Sequence, residues 1–345
     1  MTTILESLNR GLRTCLEESD LVYVIGEDVL DPYGGAFKVT KGLSTDYPEH
    51  VITTPVSEAG IVGVGIGMAM RGLYPVIEIM FGDFISLTVD QLINHAAKFR
   101  WMSNDQVRVP LVVRTPMGGR RGYGPTHSQS LEKHLLGAPG LRVVAVTALG
   151  DAGELLRKAV LEDEDPVLFL EHKVLYAKPI IAHDELSDFE VDVSFDHYPS
   201  YRLRIAGAPA PVITLTAYGY SAELAREAVK RLAYEHEIFC DLIVPTQLSP
   251  FELGDLIAAV SYTKRLLTVE EGTMTLGWGA EVIARALEEL GAGFQAQRVA
   301  ADDMPIPAAG LLETAVLPQI EDIIEAAIAL SEALGGAMMA SNPSA

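Results

Sequence analysis

One acid and one histidine have the residue types and local settings that could do chemistry. Glu58 follows Thr54-Pro55-Val56-Ser57 and precedes Ala59-Gly60. Pro55 biases the residue before it away from helix, Ser57 is a good N-cap type, and Glu58 then falls in the first helical turn. An acid there complements the helix dipole, and that is one reading of Glu58. The other is a carboxylate held at a helix start, beneath apolar residues, to hydrogen-bond a planar cofactor ring. His127 follows Gly122-Tyr123-Gly124-Pro125-Thr126, within a glycine-rich stretch, 116–130, that is long for a simple connector. A lone loop histidine is often structural or solvated; as a functional group it would transfer protons.

The elements that must position these residues are readable from the pattern around them. The run 51–54 is strand-like, and the helix after it carries Gly60, Gly63, Gly65 and Gly67, a poor choice for helix propensity. Such a helix predicts close packing, against a sheet or against the same helix of another subunit. Its glycines fail the dinucleotide fingerprint, because Met68 and Met70 stand where small residues are required. Strands are expected over 21–25, 75–80, 109–114, 167–171, 212–217, 238–244, 266–270 and 294–300. Helices are expected over 1–18, 90–101, 221–234, 278–290 and 317–334. This alternation predicts an α/β protein of two domains, each a mostly parallel sheet flanked by helices. The boundaries expected are 1–185 and 204–334, with 186–203, where the pattern lapses, as a linker and 335–345 as a loose tail.

The bulk properties restrict the function classes. At 345 residues the chain exceeds one typical core. A net charge of −21 argues against nucleic-acid and anionic-membrane partners, which need clustered Lys and Arg. Cys15 and Cys240 have neither disulfide-framework nor metal spacing, and Cys15 continues the apolar face of Ile4, Leu8 and Leu12. The N-terminus lacks a signal-peptide pattern and the apolar run 61–70 is too short to span a bilayer, so a soluble, cytoplasmic protein is expected.

Three segments occur in one order and spacing: Thr54-Pro55-Val56-Ser57-Glu58-Ala59-Gly60, Glu78-Ile79-Met80-Phe81-Gly82-Asp83-Phe84 and His127-Ser128-Gln129-Ser130. Together they resemble the beta subunits of the thiamine-diphosphate-dependent 2-oxoacid dehydrogenases, pyruvate and branched-chain types, of the transketolase-like superfamily. The resemblance continues through Gly26-Glu27-Asp28-Val29, Asp90-Gln91-Leu92-Ile93-Asn94, Glu270-Glu271-Gly272 and Gly277-Trp278-Gly279-Ala280-Glu281. It implies a pyrimidine-binding domain followed by a transketolase C-terminal-like domain. It implies that Glu58 hydrogen-bonds the aminopyrimidine, that Phe84 stacks on it, that Val56 and Met80 line it, and that Glu27 belongs to its polar surroundings. His127 would transfer protons or stabilise charge during acyl delivery. A structural potassium ion would be held at Leu111, Val160, Leu161, Asp163 and Asp165, although an extra residue precedes that segment.

An absence fits the same family. The Gly-Asp-Gly segment that holds the diphosphate through magnesium does not occur here; the family carries it on a separate alpha chain. The resemblance therefore implies an alpha2beta2 assembly with a shared site, inactive as this chain alone, and a lipoyl acyltransferase core as a further partner. Two departures stand out. Val244-Pro245-Thr246-Gln247-Leu248-Ser249-Pro250 lacks the Asp and Arg of relatives, and Arg120-Arg121 replaces their small residues. The arginines read either as an ion pair, with the alpha chain or this chain's own acids, or as ligands for an anionic group of substrate or acceptor. The functional readings are a 2-oxoacid dehydrogenase beta subunit, a two-chain thiamine-dependent carboligase, or a non-catalytic regulatory subunit.

Overall fold

The structure, a computed structural model, describes residues 2–332. The expected tail 335–345, and the last two residues of 204–334, lie outside the described residues. The chain opens with the helix Ile4–Glu18, started by a reciprocal capping box between Thr3 and Glu6. Then follow β1 (Val22–Gly26), β2 (Val51–Thr53), β3 (Tyr74–Glu78), β4 (Val112–Met117), β5 (Arg142–Ala145) and β6 (Val167–His172). They pair in parallel in the order β5-β6-β4-β3-β1-β2. Every position of β4 and β6 is buried, as a parallel strand covered on both faces requires.

The two faces are covered by different elements. Ile61, Val62 and Ile66 of the helix Glu58–Ala69 pack on one face with Ile77 and Val113. Leu8, Leu12 and Cys15 of the first helix, with Leu155 and Leu156 of the helix Ala152–Leu161, cover Val22, Val24, Val76 and Val112 on the other. The glycine-rich helix is indeed pressed against the sheet: a Cβ on Gly65 would stand 2.4 Å from Ile77 Cδ1. Gly67 faces open space instead.

The second half adds β7 (Phe189–Val193), β8 (Ser200–Ile205), β9 (Ile213–Ala217), β10 (Cys240–Pro245), β11 (Gln247–Ser249), β12 (Arg265–Thr273) and β13 (Gln295–Ala301). Its sheet runs β13-β12-β9-β10-β8-β7, parallel through β10 and antiparallel for the β8 and β7 edge. The segment 186–203 is thus not a bare linker, because most of it belongs to this edge hairpin. Its inward side chains, Phe189, Tyr201 and Leu203, are buried, while its outward ones form ion pairs such as Arg204–Asp192 at 3.1 Å. A two-sided edge of this kind looks polar in sequence and still closes a core.

β11 crosses over and pairs antiparallel with β5, so a strand of the second half completes the first sheet. Gln247 ties this strand in place: its Oε1 accepts from Arg142 at 2.8 Å and its amide donates to the Pro250 carbonyl at 2.8 Å. Among the described residues, no helix is long and apolar enough to cross a membrane.

Candidate active site

The parallel strands of the first sheet end along one edge, and the residues singled out for chemistry gather there. In spatial order the edge carries the loop with His127 after β4, Met80 and Phe84 after β3, Glu27 after β1, and Val56 to Glu58 after β2. The chain steps outward from β1 to β2, crosses back, and then steps outward from β3 to β4. Ligand sites of open α/β sheets lie at the carboxyl edge beside such a reversal.

Glu58 opens its helix and is 8% exposed, and no described residue donates a hydrogen bond to its carboxylate. Ser57 occupies the N-cap position but its hydroxyl makes no cap bond; its backbone N–H donates to Glu27 Oε1 at 3.2 Å. Burial first, and then the charge of Glu58, push the Glu27 carboxyl above the ordinary range, against the pull of the Ser57 N–H. Two buried acids that feel one another, with no cation between them, are costly for the fold alone. Val56 beside them is 77% exposed, and Met80 is half-buried.

Aromatic rings surround His127. Its imidazole stands edge-on to Phe81 at 4.8 Å and to Phe84 at 5.3 Å between centroids, and Thr126 Oγ1 lies 3.0 Å from Nδ1. Phe84 is half-buried against the main core, in the 3-10 turn Gly82–Thr88. The loop leaves β4 at Gly118, whose φ of +91° and contact with the His172 ring admit no side chain. It is strapped to the β3 turn through Asp83 Oδ1, which accepts from the Gln129 backbone at 3.2 Å and side chain at 2.9 Å.

One residue here escaped sequence reasoning. Lys173, just past β6, is fully buried and donates from Nζ to the His127 carbonyl at 2.5 Å. In Glu171-His172-Lys173 it looks like a solvated turn; the one signal in the sequence is its place at the end of a strand that opens with the apolar run 167–170.

The arginine pair divides. Arg120 is bound within this chain: Nε meets Glu271 at 2.9 Å, Nη2 donates to the Pro318 carbonyl at 2.6 Å, and its backbone N–H donates to Glu313 at 2.8 Å. It is therefore a tie between the two domains and is corrected as a substrate ligand. Arg121 is exposed, donates weakly to the Lys173 carbonyl at 3.4 Å, lies 5.8 Å from the Tyr123 ring, and forms no ion pair with a described residue.

The expected potassium positions are also otherwise engaged. Asp163 is taken by Arg142 at 2.6 Å and Tyr198 at 2.9 Å, Asp165 by Arg100 at 2.8 Å, and the Leu111 carbonyl by the Val167 N–H at 2.8 Å. Val160 and Leu161 close the helix Ala152–Leu161. With both carboxylates paired to guanidinium, the chemistry of the donor set does not fit a bound cation. No cluster of three or more His, Cys, Asp or Glu suited to a metal occurs among the described residues.

Three other buried acids have cationic partners. Arg114 lies between Glu78 and Glu171, bidentate to the latter at 2.7 and 2.6 Å, and Tyr176 donates to Glu171 at 2.5 Å. Glu271 accepts from Gly119 N at 2.8 Å and His172 Nε2 at 3.0 Å, besides Arg120. The Val174 N–H donates to His172 Nδ1, which fixes Nε2–H as the donor to Glu271. Burial works against its charge, but His172, Arg120 and Gly119 outweigh burial and hold the Glu271 carboxyl well below the usual range.

Residues 2–179 match the transketolase pyrimidine-binding domain and 206–323 the transketolase C-terminal domain. The solved split-gene transketolase, an inactive beta4 tetramer, superposes with a TM-score of 0.74 over 96% of this chain and 99% of that one, at 17% identity, a likeness of fold. The architecture is therefore that of the transketolase class. Within it, the chain is 38% identical to the mitochondrial pyruvate dehydrogenase E1 component subunit beta-1 of Arabidopsis thaliana, over 94% of this chain and 88% of that protein. It is 33% identical to the pyruvate dehydrogenase E1 component subunit beta of Rickettsia conorii, over 94% and 96%. The chain belongs to the family of pyruvate dehydrogenase E1 beta subunits.

Proposed function

We propose that this chain is the beta subunit of a two-chain thiamine-diphosphate enzyme that decarboxylates a 2-oxoacid and passes the acyl group to lipoamide. The observation that carries the reading is Glu58: a buried, unpartnered carboxylate at a helix start, on the ligand edge of a pyrimidine-binding domain. Thiamine diphosphate, when bound, supplies an acidic thiazolium carbon and an electron sink for decarboxylation. Glu58 holds or shares a proton at its carboxyl oxygen with a ring nitrogen, and Glu27 keeps that proton in the site by being hard to ionise itself. Phe84, Met80 and Val56 offer apolar surface to a planar ring. His127, on its aromatic bed, is placed to move a proton at the substrate end.

Nothing in this chain offers the magnesium and diphosphate motif, so an alpha chain supplies it, in an alpha2beta2 complex that docks on a lipoyl acyltransferase core. The exposed Val56 beside a buried acid supports a site closed by another chain. Arg121 is available to an anionic group on the substrate or acceptor. Calorimetry tests the shared site. The isolated chain should bind thiamine diphosphate weakly and without a magnesium requirement, and adding an alpha chain should restore tight, magnesium-dependent binding. Tight magnesium-dependent binding to the isolated chain would refute it.

A further inference from the structure

Lys173 is an ammonium in a place where an ammonium is costly. Its side chain is fully buried, and it forms no ion pair with any described residue. Its Nζ lies 5.3 Å from the Phe81 ring centroid and 5.9 Å from that of Tyr123, the rings that also bracket the His127 loop. Its backbone N–H is tied to the Met117 carbonyl at 3.1 Å, so the stem is anchored at the β4–β6 edge. Its head reaches the backbone of the residue whose side chain does the proposed proton transfer. Next to it, Ser128 Oγ and Asp83 Oδ2 are buried without hydrogen-bond partners.

A buried cation with a carbonyl and two ring faces as its partners contributes little to the fold that a methionine would not. What it does supply is a fixed position for one peptide unit. We infer that Lys173 is a positioning residue for His127: its ammonium grips the His127 carbonyl and so sets where the imidazole stands over Phe81 and Phe84. This rests on the reading of His127 as the proton-transfer group.

The charge on Nζ is within reach of titration. Burial pushes the Lys173 pKa down to about 8, and Asp83, Glu271 and Glu313 oppose that while Arg121 adds to it. His127 and His172 are its other titratable neighbours. Above that pH the amine loses its charge-assisted bond and its attraction to the rings, and the loop loosens. Folding stability runs the other way. Burial penalises the ammonium, so this group's contribution to stability rises between pH 8 and the ordinary lysine range. An alkaline loss of turnover without loss of fold is the signature.

The test uses the assembled two-chain complex with Lys173→Met, Lys173→Gln and Lys173→Arg. Lys173→Met should lower kcat about tenfold, with KM within about twofold, leaving assembly intact and the melting temperature equal or higher. The fall of kcat near pH 8 in the wild type should vanish in Lys173→Met and move well above that pH in Lys173→Arg. Histidine-labelled complex, assigned with His127→Asn, gives a readout free of turnover: the His127 ring signals should inflect near pH 8, and Lys173→Gln should remove the inflection. Unchanged kcat in Lys173→Met, or an inflection that survives all three substitutions, would overturn the inference. Wild-type kcat in His127→Asn would instead refute the proton-transfer reading of His127, so the two failures are separable.

Discussion

Two groups of buried acids lie on and beside the two sheets, and they are built on opposite plans. Glu171 and Glu271 each meet an arginine and a second donor, and Glu78 shares Arg114 with Glu171, so each of the three has a cation inside the chain. Glu27 and Glu58, at the strand edge, have one backbone N–H between them and no cation. The first group is how an acidic chain buries carboxylates for the sake of its fold. On the proposed function, the second is completed by the cofactor ring and the alpha chain. Partnership, more than burial or motif, separates structural acids from the candidate catalytic ones.

The largest structural effect should come from breaking the partnered group. Arg114→Met leaves Glu78 and Glu171 buried and unpaired, and should cost about 3–5 kcal/mol, seen as a lower denaturant midpoint. Arg120→Gly should come next, at about 1–3 kcal/mol, because it removes the guanidinium tie between Glu271 and Pro318. A rise in KM for one anionic substrate with no change in stability would contradict that placement. The neighbouring Glu270 sharpens the comparison. It accepts from the Trp278 and Gly279 N–H groups at 2.7 and 2.8 Å, yet burial, opposed by those bonds, raises its carboxyl to about 7. Raised folded-state affinity for a proton means stability falls as pH rises from the ordinary carboxylate range to about 7. Glu271, held low, loses its contribution only in acid below the usual carboxylate range. Glu270→Gln should flatten the slope of melting temperature between pH 5 and 7, and Glu271→Gln should not. The smallest effect belongs to Arg121→Gly, with stability within about 0.5 kcal/mol. Its KM for a 2-oxoacid carrying a second carboxylate should rise severalfold, as steady-state kinetics would show.

How far these two groups could be told apart from sequence differs by residue. Glu58 was legible because its local signals agree: a proline-stopped strand, an N-cap position and a glycine-rich helix that must lie close to a sheet. The structure changes one detail, since Ser57 supplies a backbone N–H rather than a capping hydroxyl. The parallel sheets were legible for the same reason, as short apolar runs such as 167–170 alternate with longer helical patterns. Arg120 was not, because its partners Glu271 and Glu313 lie far along the chain and no local pattern announces them. Lys173 was hidden by its residue type, which in sequence reads as solvent-facing. The hairpin of β7 and β8 was hidden by alternation too short and too charged to stand out from a linker.

The central claim is that Glu58 is left unpartnered in order to activate a bound cofactor ring. Its most direct test is exchange of the acidic thiazolium proton, followed by NMR in the assembled complex, wild type against Glu58→Gln. Intact assembly, an unchanged melting temperature and exchange slowed by at least ~100-fold are expected, since an amide cannot share the proton. Exchange at the wild-type rate in Glu58→Gln would contradict it.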